Sequence, residues 1–289
     1  MMGTLFDSKA AIEPDYMRKK KAVEKRLGHQ ITNKEFEDNY LVINGGGGRL
    51  SDTGTSIFDP VLTELVVTWF SAKGDFIIDP FAGGSVRGIV SGTLERNYVG
   101  IDLRQEQIDA NIEQGEMMQP QNMPSWVCGD SMNINQIARG EYDFMLTCPP
   151  YGDLEVYSDD PADISNMTDD DFDKTYTEIL RRTVSMLKDN RYAVIVVGNY
   201  RNKKGYLRDL VGITVRAMES AGAHYYNDFI IVTPIGSLPI RAGKAFQTTR
   251  KMGRTHQYCL VFVKGNPKEA TQRLGNIEIP DLDEYEETE

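Results

Sequence analysis

A proline-rich turn carries the clearest chemical signal in the sequence. Residues 142–147 form a short apolar run typical of a buried strand, and directly after it come Cys148, Pro149, Pro150 and Tyr151. Two consecutive prolines remove two backbone donors and fix φ, so the turn is rigid and presents carbonyl oxygens beside an aromatic ring. A flat partner with polar edges, such as a nucleobase, suits a surface of this kind.

A second turn, earlier in the chain, has the composition of a ligand-binding loop. It follows the apolar run 76–78 and consists of Asp79, Pro80, Phe81, Ala82, Gly83 and Gly84. Adjacent glycines allow a close approach between backbone and ligand, and the helical pattern that begins near residue 85 places a helix N-terminus beside the loop. We expect this loop to border a bound molecule.

Carboxylates also follow the next two apolar segments. Asp102 ends the segment that starts at residue 98, and Asp130 follows the segment 126–128. Asp102 lies about 20 residues beyond Asp79, the separation at which an acid binds ribose hydroxyls in dinucleotide-binding folds. Each acid alone could equally be a helix N-cap. Three acids at three successive strand ends favour a ligand with an adenosine and an ammonium group.

Alternating strand and helix patterns place these turns in one architecture. Strands are expected at residues 76–78, 98–101, 126–128, 142–147, 192–197, 225–232 and 257–263. Helical patterns lie between most of them, including a long one capped by Thr168, and another helix capped by Asp59 precedes the first strand. No helical pattern separates the last two strands, which we expect to pair antiparallel. The predicted fold class is α/β, a Rossmann-like, doubly wound, mostly parallel seven-stranded sheet with an antiparallel last strand, in which ligands collect at the carboxyl ends of the strands.

The four turns together resemble a known set of motifs. Motifs I to IV of S-adenosylmethionine-dependent DNA amino-methyltransferases, above all of phage-encoded DNA methylases, are similar in chain order to residues 79–84, 100–102, 129–130 and 148–151. Residues 58–62 resemble motif X of the same family. The resemblance spans about residues 58–265 and implies the class I methyltransferase fold, S-adenosyl-L-methionine as cofactor, no metal and a DNA substrate.

The resemblance also implies a cofactor site at the first three motifs. Its expected cofactor-binding residues are Asp79, Pro80, Phe81, Ala82, Gly83, Asp102 and Asp130. Asp79 would face the amino-acid end of the cofactor and Phe81 would pack on it. Asp102 would bind the ribose and Asp130 the adenine amino group.

At motif IV the resemblance implies four catalytic residues, Cys148, Pro149, Pro150 and Tyr151. Tyr151 would stack on a base flipped out of the duplex, and the Pro149 carbonyl would accept from its exocyclic amine. Cys148 departs from the family, which usually has Asp, Asn or Ser there, and a thiol is a weaker acceptor.

Three interpretations of Cys148 remain open. It takes the place of Ser while the Pro149 carbonyl dominates, or it is a small buried residue and the acceptors come from elsewhere. In the third, it is a thiolate nucleophile, as in carbon-5 pyrimidine methylation. The cysteine of that chemistry follows a proline, whereas Cys148 precedes one, which disfavours this last interpretation.

Charge is distributed unevenly along a chain whose net charge is −11. Basic residues cluster in 201–208 and 241–256, and phosphate binding leaves a basic footprint of this kind. The nucleic-acid contacts that we expect are Asn199, Arg241, Lys244, Arg250, Lys251 and Arg254. Asn199 could equally be a turn residue, and the basic segments could be solvated loops. The acid-rich segment 153–173 is interpreted as a lid, a base-reading loop or a solvated loop.

The expected domain organisation has three parts: a basic and polar N-terminal extension at 1–57, a catalytic domain at 58–265, and an acidic, disordered tail at 266–289. No apolar run reaches the roughly 18 residues that span a bilayer, so no membrane partner is expected. The 3 cysteines show no metal-ligand spacing, which favours a reducing, cytoplasmic setting. The sequence gives no indication of the oligomeric state.

The sequence therefore predicts a site-specific DNA methyltransferase that acts on an exocyclic amino group, with adenine N6 slightly ahead of cytosine N4. Two alternatives stay open: an RNA or nucleotide methyltransferase, and a catalytically impaired nucleic-acid-binding protein that retains the cofactor fold.

Overall fold

The computed structural model describes residues 58–152, 157–202, 204–232 and 238–277, together with Lys21, Glu24 and Lys25. Most of the expected N-terminal extension and the residues from 278 onward lie outside this description. The strands are β1 (Phe76–Asp79), β2 (Asn97–Asp102), β3 (Ser125–Cys128), β4 (Tyr142–Thr147), β5 (Leu187–Val197), β6 (Tyr200–Arg201), β7 (Leu207–Arg208), β8 (Ala223–Val232) and β9 (His256–Lys264). The helices are α1 (Pro60–Phe70), α2 (Val86–Thr93), α3 (Gln105–Met118), α4 (Ile134–Ile137), α5 (Asp169–Ser185), α6 (Leu210–Ser220), α7 (Leu238–Thr249) and α8 (Pro267–Leu274).

A seven-stranded sheet with the order β3-β2-β1-β4-β5-β9-β8 forms the centre of the fold. Strands β1 to β5 pair parallel to one another, and β9 is antiparallel to both of its neighbours, β5 and β8. The mostly parallel sheet with an antiparallel last strand is confirmed. Because the parallel strands share one direction, the turns after β1, β2, β3 and β4 meet at the same carboxyl edge.

Two helix starts agree with their expected caps. The Asp59 carboxylate accepts from the backbone N–H groups of Val61 and Leu62 at the start of α1, and Pro60 occupies the first helical position, where its missing N–H costs nothing. The Thr168 side chain accepts from the N–H of Asp171 at the start of α5.

Helix α7 corrects the expectation that no helix separates the last two strands. It lies between β8 and β9 at residues 238–249. Pro239 and Gly243 are poor helix formers that weaken the local pattern, which is why the sequence did not indicate a helix. Pro239 is tolerated because it lies in the first turn.

Helix α8 corrects the expected boundary of the acidic tail at residue 266. The Asn266 side chain caps this helix by accepting from the N–H of Lys268, and Pro267 is its first residue. Ala270 is buried against the sheet. The folded region thus extends beyond residue 265, because a short amphipathic helix precedes the acid-rich residues.

Two apolar layers cover the two faces of the sheet. One contains side chains of α5 and α6, such as Phe172 and Leu210, and the other contains side chains of α1, α2, α3 and α8. Along β4, Met145 belongs to the first layer and Phe144 to the second, as the alternation of a strand requires. Among the described residues, no helix has the length and apolar character that crossing a membrane requires.

The amino edge of the sheet holds a buried ion-pair network. Asp143 in β4 is almost fully buried, and its carboxylate accepts from Lys188, Arg191 and the Phe76 N–H. It also forms an ion pair with Arg273. Arg273, from α8, also pairs with Asp75 just before β1. This network joins the start of the sheet to the last helix described.

Candidate active site

Asp79, the last residue of β1, is fully buried at the centre of the carboxyl edge. Its carboxylate accepts four hydrogen bonds, from the Phe81 N–H (3.0 Å), the Thr147 hydroxyl (2.6 Å), Arg87 Nε (2.7 Å) and the Tyr98 hydroxyl (2.7 Å). Each oxygen accepts two of these bonds. The direct cofactor contact expected for Asp79 does not fit this geometry, because it would break one of them; Asp79 holds the surrounding turns in place instead.

Arg87, in the first turn of α2, completes this arrangement from the other side of the loop. Its Nη2 donates to the carbonyl oxygens of Phe81 (2.6 Å) and Ala82 (3.0 Å). Its guanidinium also lies over the ring of Phe58, 4.7 Å from the centroid. Burial opposes the charge of Arg87, but the Asp79 carboxylate outweighs that effect and the pKa of Arg87 is raised. A permanent cation therefore fixes the loop backbone.

Hydrogen bonds connect the motif I loop to the next two strand ends. Asp102 Oδ2 accepts from the Gly83 N–H at 3.0 Å, and the Ser131 hydroxyl donates to the Pro80 carbonyl at 2.6 Å. The Asn111 side chain donates to the Gly83 carbonyl at 2.7 Å. Three turns from three strands thus form one surface.

Open space lies over the two glycines of this loop. Gly83 has a φ of +50°, and a methyl group added at Gly83 or Gly84 would meet no protein atom within 4 Å. Pro80 and Ala82 are buried beneath the loop, whereas Phe81 is only partly buried and packs at its edge against Tyr176. The exposed side of the loop can therefore accept a ligand against its backbone.

Two carboxylates border this space. Asp102 accepts from the Arg104 N–H at 3.0 Å and keeps 15% of its side chain exposed. Burial raises the pKa of Asp102, although N–H bonds from Arg104 and Gly83 oppose the rise. Asp130 caps the short turn that follows it by accepting from the Met132 N–H at 2.8 Å through Oδ1, so the N-cap interpretation is correct for this residue.

The donor set fits S-adenosylmethionine. Asp102 would offer acceptors for ribose hydroxyls, Asp130 would offer one for an adenine amino group, and the open space at the two glycines would leave room for the chain that carries the sulfonium. Within the ranges described, no group of three or more His, Cys, Asp or Glu side chains is placed to hold a metal ion.

The motif IV turn follows β4 directly and is fixed from three directions. Thr147 binds Asp79, which ties the start of the turn to the motif I loop. Gln257 Nε2 donates to the Tyr151 hydroxyl at 2.5 Å, and the ring of Tyr200 lies at 86° to that of Tyr151 with centroids 6.2 Å apart. Burial raises the pKa of Tyr151, which keeps the phenol neutral.

Gly152 closes the turn in a left-handed conformation that favours glycine. Its φ is +53°, and a methyl group there would lie 2.1 Å from the Tyr200 hydroxyl. Pro149 is buried, while Cys148, Pro150 and Tyr151 are partly exposed. Cys148 is close enough to Arg87 and Tyr151 for a thiolate there to raise the pKa of each.

The expected nucleic-acid contacts lie in two places. Asn199 Oδ1 accepts from the Val211 N–H at 2.9 Å, so its side chain holds the start of α6, and the turn-residue interpretation is the one that fits. The five basic residues lie in α7 and the segment after it, which joins the end of β8 to the start of β9 at the carboxyl edge. Of these, Lys244, Arg250 and Arg254 are exposed and Lys251 is partly buried.

The acid-rich segment is largely part of the fold where it is described. Asp163 is buried and accepts from Ser165, and Asp169 and Asp173 pair with Arg208. Residues 153–156 lie outside the described ranges.

Some residues that contribute to the site were missed in the sequence, and four of them hold Asp79 or Tyr151. Arg87, Thr147, Tyr200 and Gln257 each fix a motif residue through a side-chain contact. Arg87 gave a usable signal, since an arginine in the apolar helix that follows a strand-end aspartate is expected to find a buried partner. The other three become recognisable only once the strand order brings their elements together.

Comparisons with known proteins agree with this geometry. A family model described as DNA methylase matches residues 8–113, a range that begins inside the expected extension and includes motifs I and II. The type II methyltransferase M2.DpnII of Streptococcus pneumoniae is 38% identical over 45 residues, 16% of this chain and 17% of that protein. The chain therefore matches only a small part of the length of this curated relative.

Solved structures share the fold at low sequence identity. A methyltransferase from Pyrococcus furiosus has a TM-score of 0.50 with 13% identity, covering 89% of this chain and 100% of that one. TrmN from Thermus thermophilus also has a TM-score of 0.50, with 15% identity, over 72% of this chain and 49% of its own. The sheet has the class I methyltransferase fold, and the DNA methylase match over residues 8–113 and the ordered motifs make the chain similar to S-adenosylmethionine-dependent DNA amino-methyltransferases.

Proposed function

We propose that this protein transfers a methyl group from S-adenosylmethionine to an exocyclic amino group of a base flipped out of DNA, with adenine N6 ahead of cytosine N4 as the target. The observation that carries the proposal is the Thr147–Asp79 hydrogen bond of 2.6 Å. This bond connects the cofactor loop directly to the motif IV turn. The distance between a methyl donor bound at the loop and an amine bound at the turn is therefore fixed.

Each residue of the turn has a distinct task in this reaction. S-adenosylmethionine supplies an electrophilic methyl group. The flat ring of Tyr151 stacks on the base, and the Pro149 carbonyl accepts a hydrogen bond from the amine and stabilises the positive charge that develops on its nitrogen. The Tyr151 phenol stays neutral, so it adds no charge that would repel the phosphate backbone.

Cys148 acts in this proposal as a small residue beside the amine, with the Pro149 carbonyl as the main acceptor. No covalent bond between thiol and base is needed, because an exocyclic amine has its own lone pair. Replacing Cys148 with Ser should therefore leave methyl transfer largely intact, whereas a nucleophilic role would abolish it.

The test is incubation of the full chain with labelled S-adenosylmethionine and unmethylated DNA or RNA, followed by mass spectrometry of the nucleosides. N6-methyladenine from DNA is the expected product. A Tyr151→Ala variant should bind the cofactor normally but lose transfer, since it removes the ring that stacks on the base together with its contacts to Gln257 and Tyr200. Finding 5-methylcytosine, methylated RNA alone, or cofactor binding without any product would contradict the proposal.

A further inference from the structure

A short hairpin rises from the carboxyl edge directly beside the motif IV turn. Strands β6 and β7 pair through Tyr200 with Arg208 and through Arg201 with Leu207. The turn between them is closed by the Gly205 N–H, which donates to the Asn202 carbonyl at 2.7 Å. We refer to residues 200–208 as the basic hairpin.

The base of the basic hairpin is firmly attached to the protein. Tyr200 is almost fully buried and lies perpendicular to the ring of Tyr151. At the other strand, Arg208 pairs with Asp173 and Asp169 at the start of α5. Attachment at both strands means that the position of the hairpin relative to Tyr151 is set by packing, not by a free loop.

The tip of the basic hairpin has the opposite character. Tyr206 keeps 71% of its surface exposed and Leu207 keeps 45%. Among its described residues, Arg201 and Lys204 are exposed cations, Arg208 is paired with Asp169 and Asp173, and the sequence of the segment contains no acid. The chain as a whole has a net charge of −11, whereas this exposed segment is basic, contains no acid and carries an exposed aromatic ring.

The basic hairpin also meets the basic segment that follows α7. The Lys251 ammonium lies against Gly205, only 2.5 Å from where a Cβ would stand. Lys244, Arg250 and Arg254 are exposed in the same connection between β8 and β9. The two segments therefore form one cationic surface beside the motif IV turn.

We infer that the basic hairpin is a DNA-contacting element, in which Tyr206 stacks on a base or sugar next to the flipped nucleotide and Lys204 contacts a phosphate. This inference rests on the proposed function and adds a contact surface to it. Cationic surfaces with interspersed aromatic rings bind nucleic acid through phosphate contacts and through stacking. The rigid base beside Tyr151 is what places this contact next to the target.

The test compares Tyr206→Ala with Tyr206→Phe and with a matched control, Tyr226→Ala. Tyr226 is also an exposed tyrosine, but it lies near α8 at the amino edge. With the full chain and an unmethylated duplex oligonucleotide, Tyr206→Ala should weaken DNA binding about tenfold by fluorescence anisotropy, as loss of one stacking contact implies. Tyr206→Phe and Tyr226→Ala should stay within about twofold, and the affinity for S-adenosylmethionine should not change in any of them.

A salt titration separates stacking from charge. Lys204→Ala should reduce the slope of log affinity against log salt by about 1, while Tyr206→Ala should leave the slope unchanged. Wild-type DNA affinity in Tyr206→Ala, an equal loss in Tyr226→Ala, or a loss restricted to RNA would overturn the inference. DNA binding that depends on Tyr206 but comes without methyl transfer would refute the proposed function and leave the hairpin contact standing.

Discussion

Both edges of the sheet bury a carboxylate, but the two carboxylates are surrounded differently. At the amino edge, Asp143 meets three cations from β5 and α8, all of them partly exposed. At the carboxyl edge, Asp79 meets one fully buried cation, Arg87, together with two hydroxyl groups. The first network joins distant parts of the chain, whereas the second fixes the loops that would carry the chemistry.

Electrostatics differ between the edges in the same way. Burial alone would raise the pKa of Asp143, but hydrogen bonds from Lys188, Phe76 and Arg191 hold it below its usual value. Asp102 at the carboxyl edge has a raised pKa, because burial exceeds what its donors provide. Asp102 can therefore still accept hydrogen bonds from the hydroxyl groups of a ligand. The carboxyl edge, unlike the amino edge, keeps an acceptor that the protein does not fully use.

Removal of one cation from each edge should give the largest contrast. Arg87→Met leaves the Asp79 charge buried without a counter-ion and should lower the free energy of unfolding by about 3–5 kcal/mol. Arg273→Met at the amino edge removes one partly exposed cation of several and should cost about 1 kcal/mol. Urea unfolding measures both values.

Cofactor binding to the same two variants sharpens this contrast. Arg87→Met should lose calorimetric affinity for S-adenosylmethionine, because the carbonyl groups of Phe81 and Ala82 lose their donor, while Arg273→Met should keep it. Arg87→Lys retains the charge but not the forked geometry, and it should recover stability more than affinity. Equal affinity in all three variants would show that the loop does not depend on Arg87.

Two glycines at which any other residue would be strained offer the second comparison. Gly152 and Gly265 both have positive φ, +53° and +87°, and a Cβ on either would collide with a neighbour. Gly152→Ala should displace Tyr151 and lower kcat at least tenfold with little change in cofactor affinity. Gly265→Ala strains only the turn between β9 and α8, so it should lower the melting temperature while kcat at a permissive temperature is retained.

Lowering the pH should give the smallest difference between the two edges, because their carboxylates take up protons at different pH values. The stabilisation from Asp143 is present above its unfolded-state pKa of about 3.9 and is lost as the pH falls through the lower folded-state value. Asp102, with its raised pKa, takes up a proton at higher pH, and the affinity for S-adenosylmethionine should fall there while the protein is still folded. Calorimetry against pH should show this loss in the wild type, and Asp102→Asn should bind weakly with a flatter profile.

Local patterns predicted most of the sheet. Apolar runs indicated its strands, and the caps at Asp59 and Thr168 indicated where two helices start, because caps and periodicity act within a few residues. The sequence did not indicate helix α7, because Pro239 and Gly243 are poor helix formers. This helix depends on the connection between β8 and β9, which the local pattern does not contain. Helix α8 was not predicted, because the many acidic residues after it led residues 266–289 to be interpreted as a disordered tail. Asn266 and Pro267 are nevertheless a typical helix start.

The site was predictable in position but not in role. Strand ends placed Asp79, Asp102 and Asp130 at one edge, since parallel strands share a direction. That Asp79 would be consumed by internal hydrogen bonds depends on Arg87, Tyr98 and Thr147, which come from three different elements. For Asn199, the sequence left a nucleic-acid contact and a turn residue equally open for the same reason: its partner, the Val211 N–H, is set by the packing of α6.

The position of β9 has a consequence for how the protein is made. β9 follows all other strands in the chain, yet it lies between β5 and β8. Until β9 emerges from the ribosome, the edges of β5 and β8 that it will join have no partner. Unpaired strand edges promote aggregation of a nascent chain. Gln257, at the start of β9, is also the residue that fixes Tyr151. The motif I loop can therefore assemble early in synthesis, while the contacts that hold Tyr151 in the motif IV turn are completed only when this strand inserts.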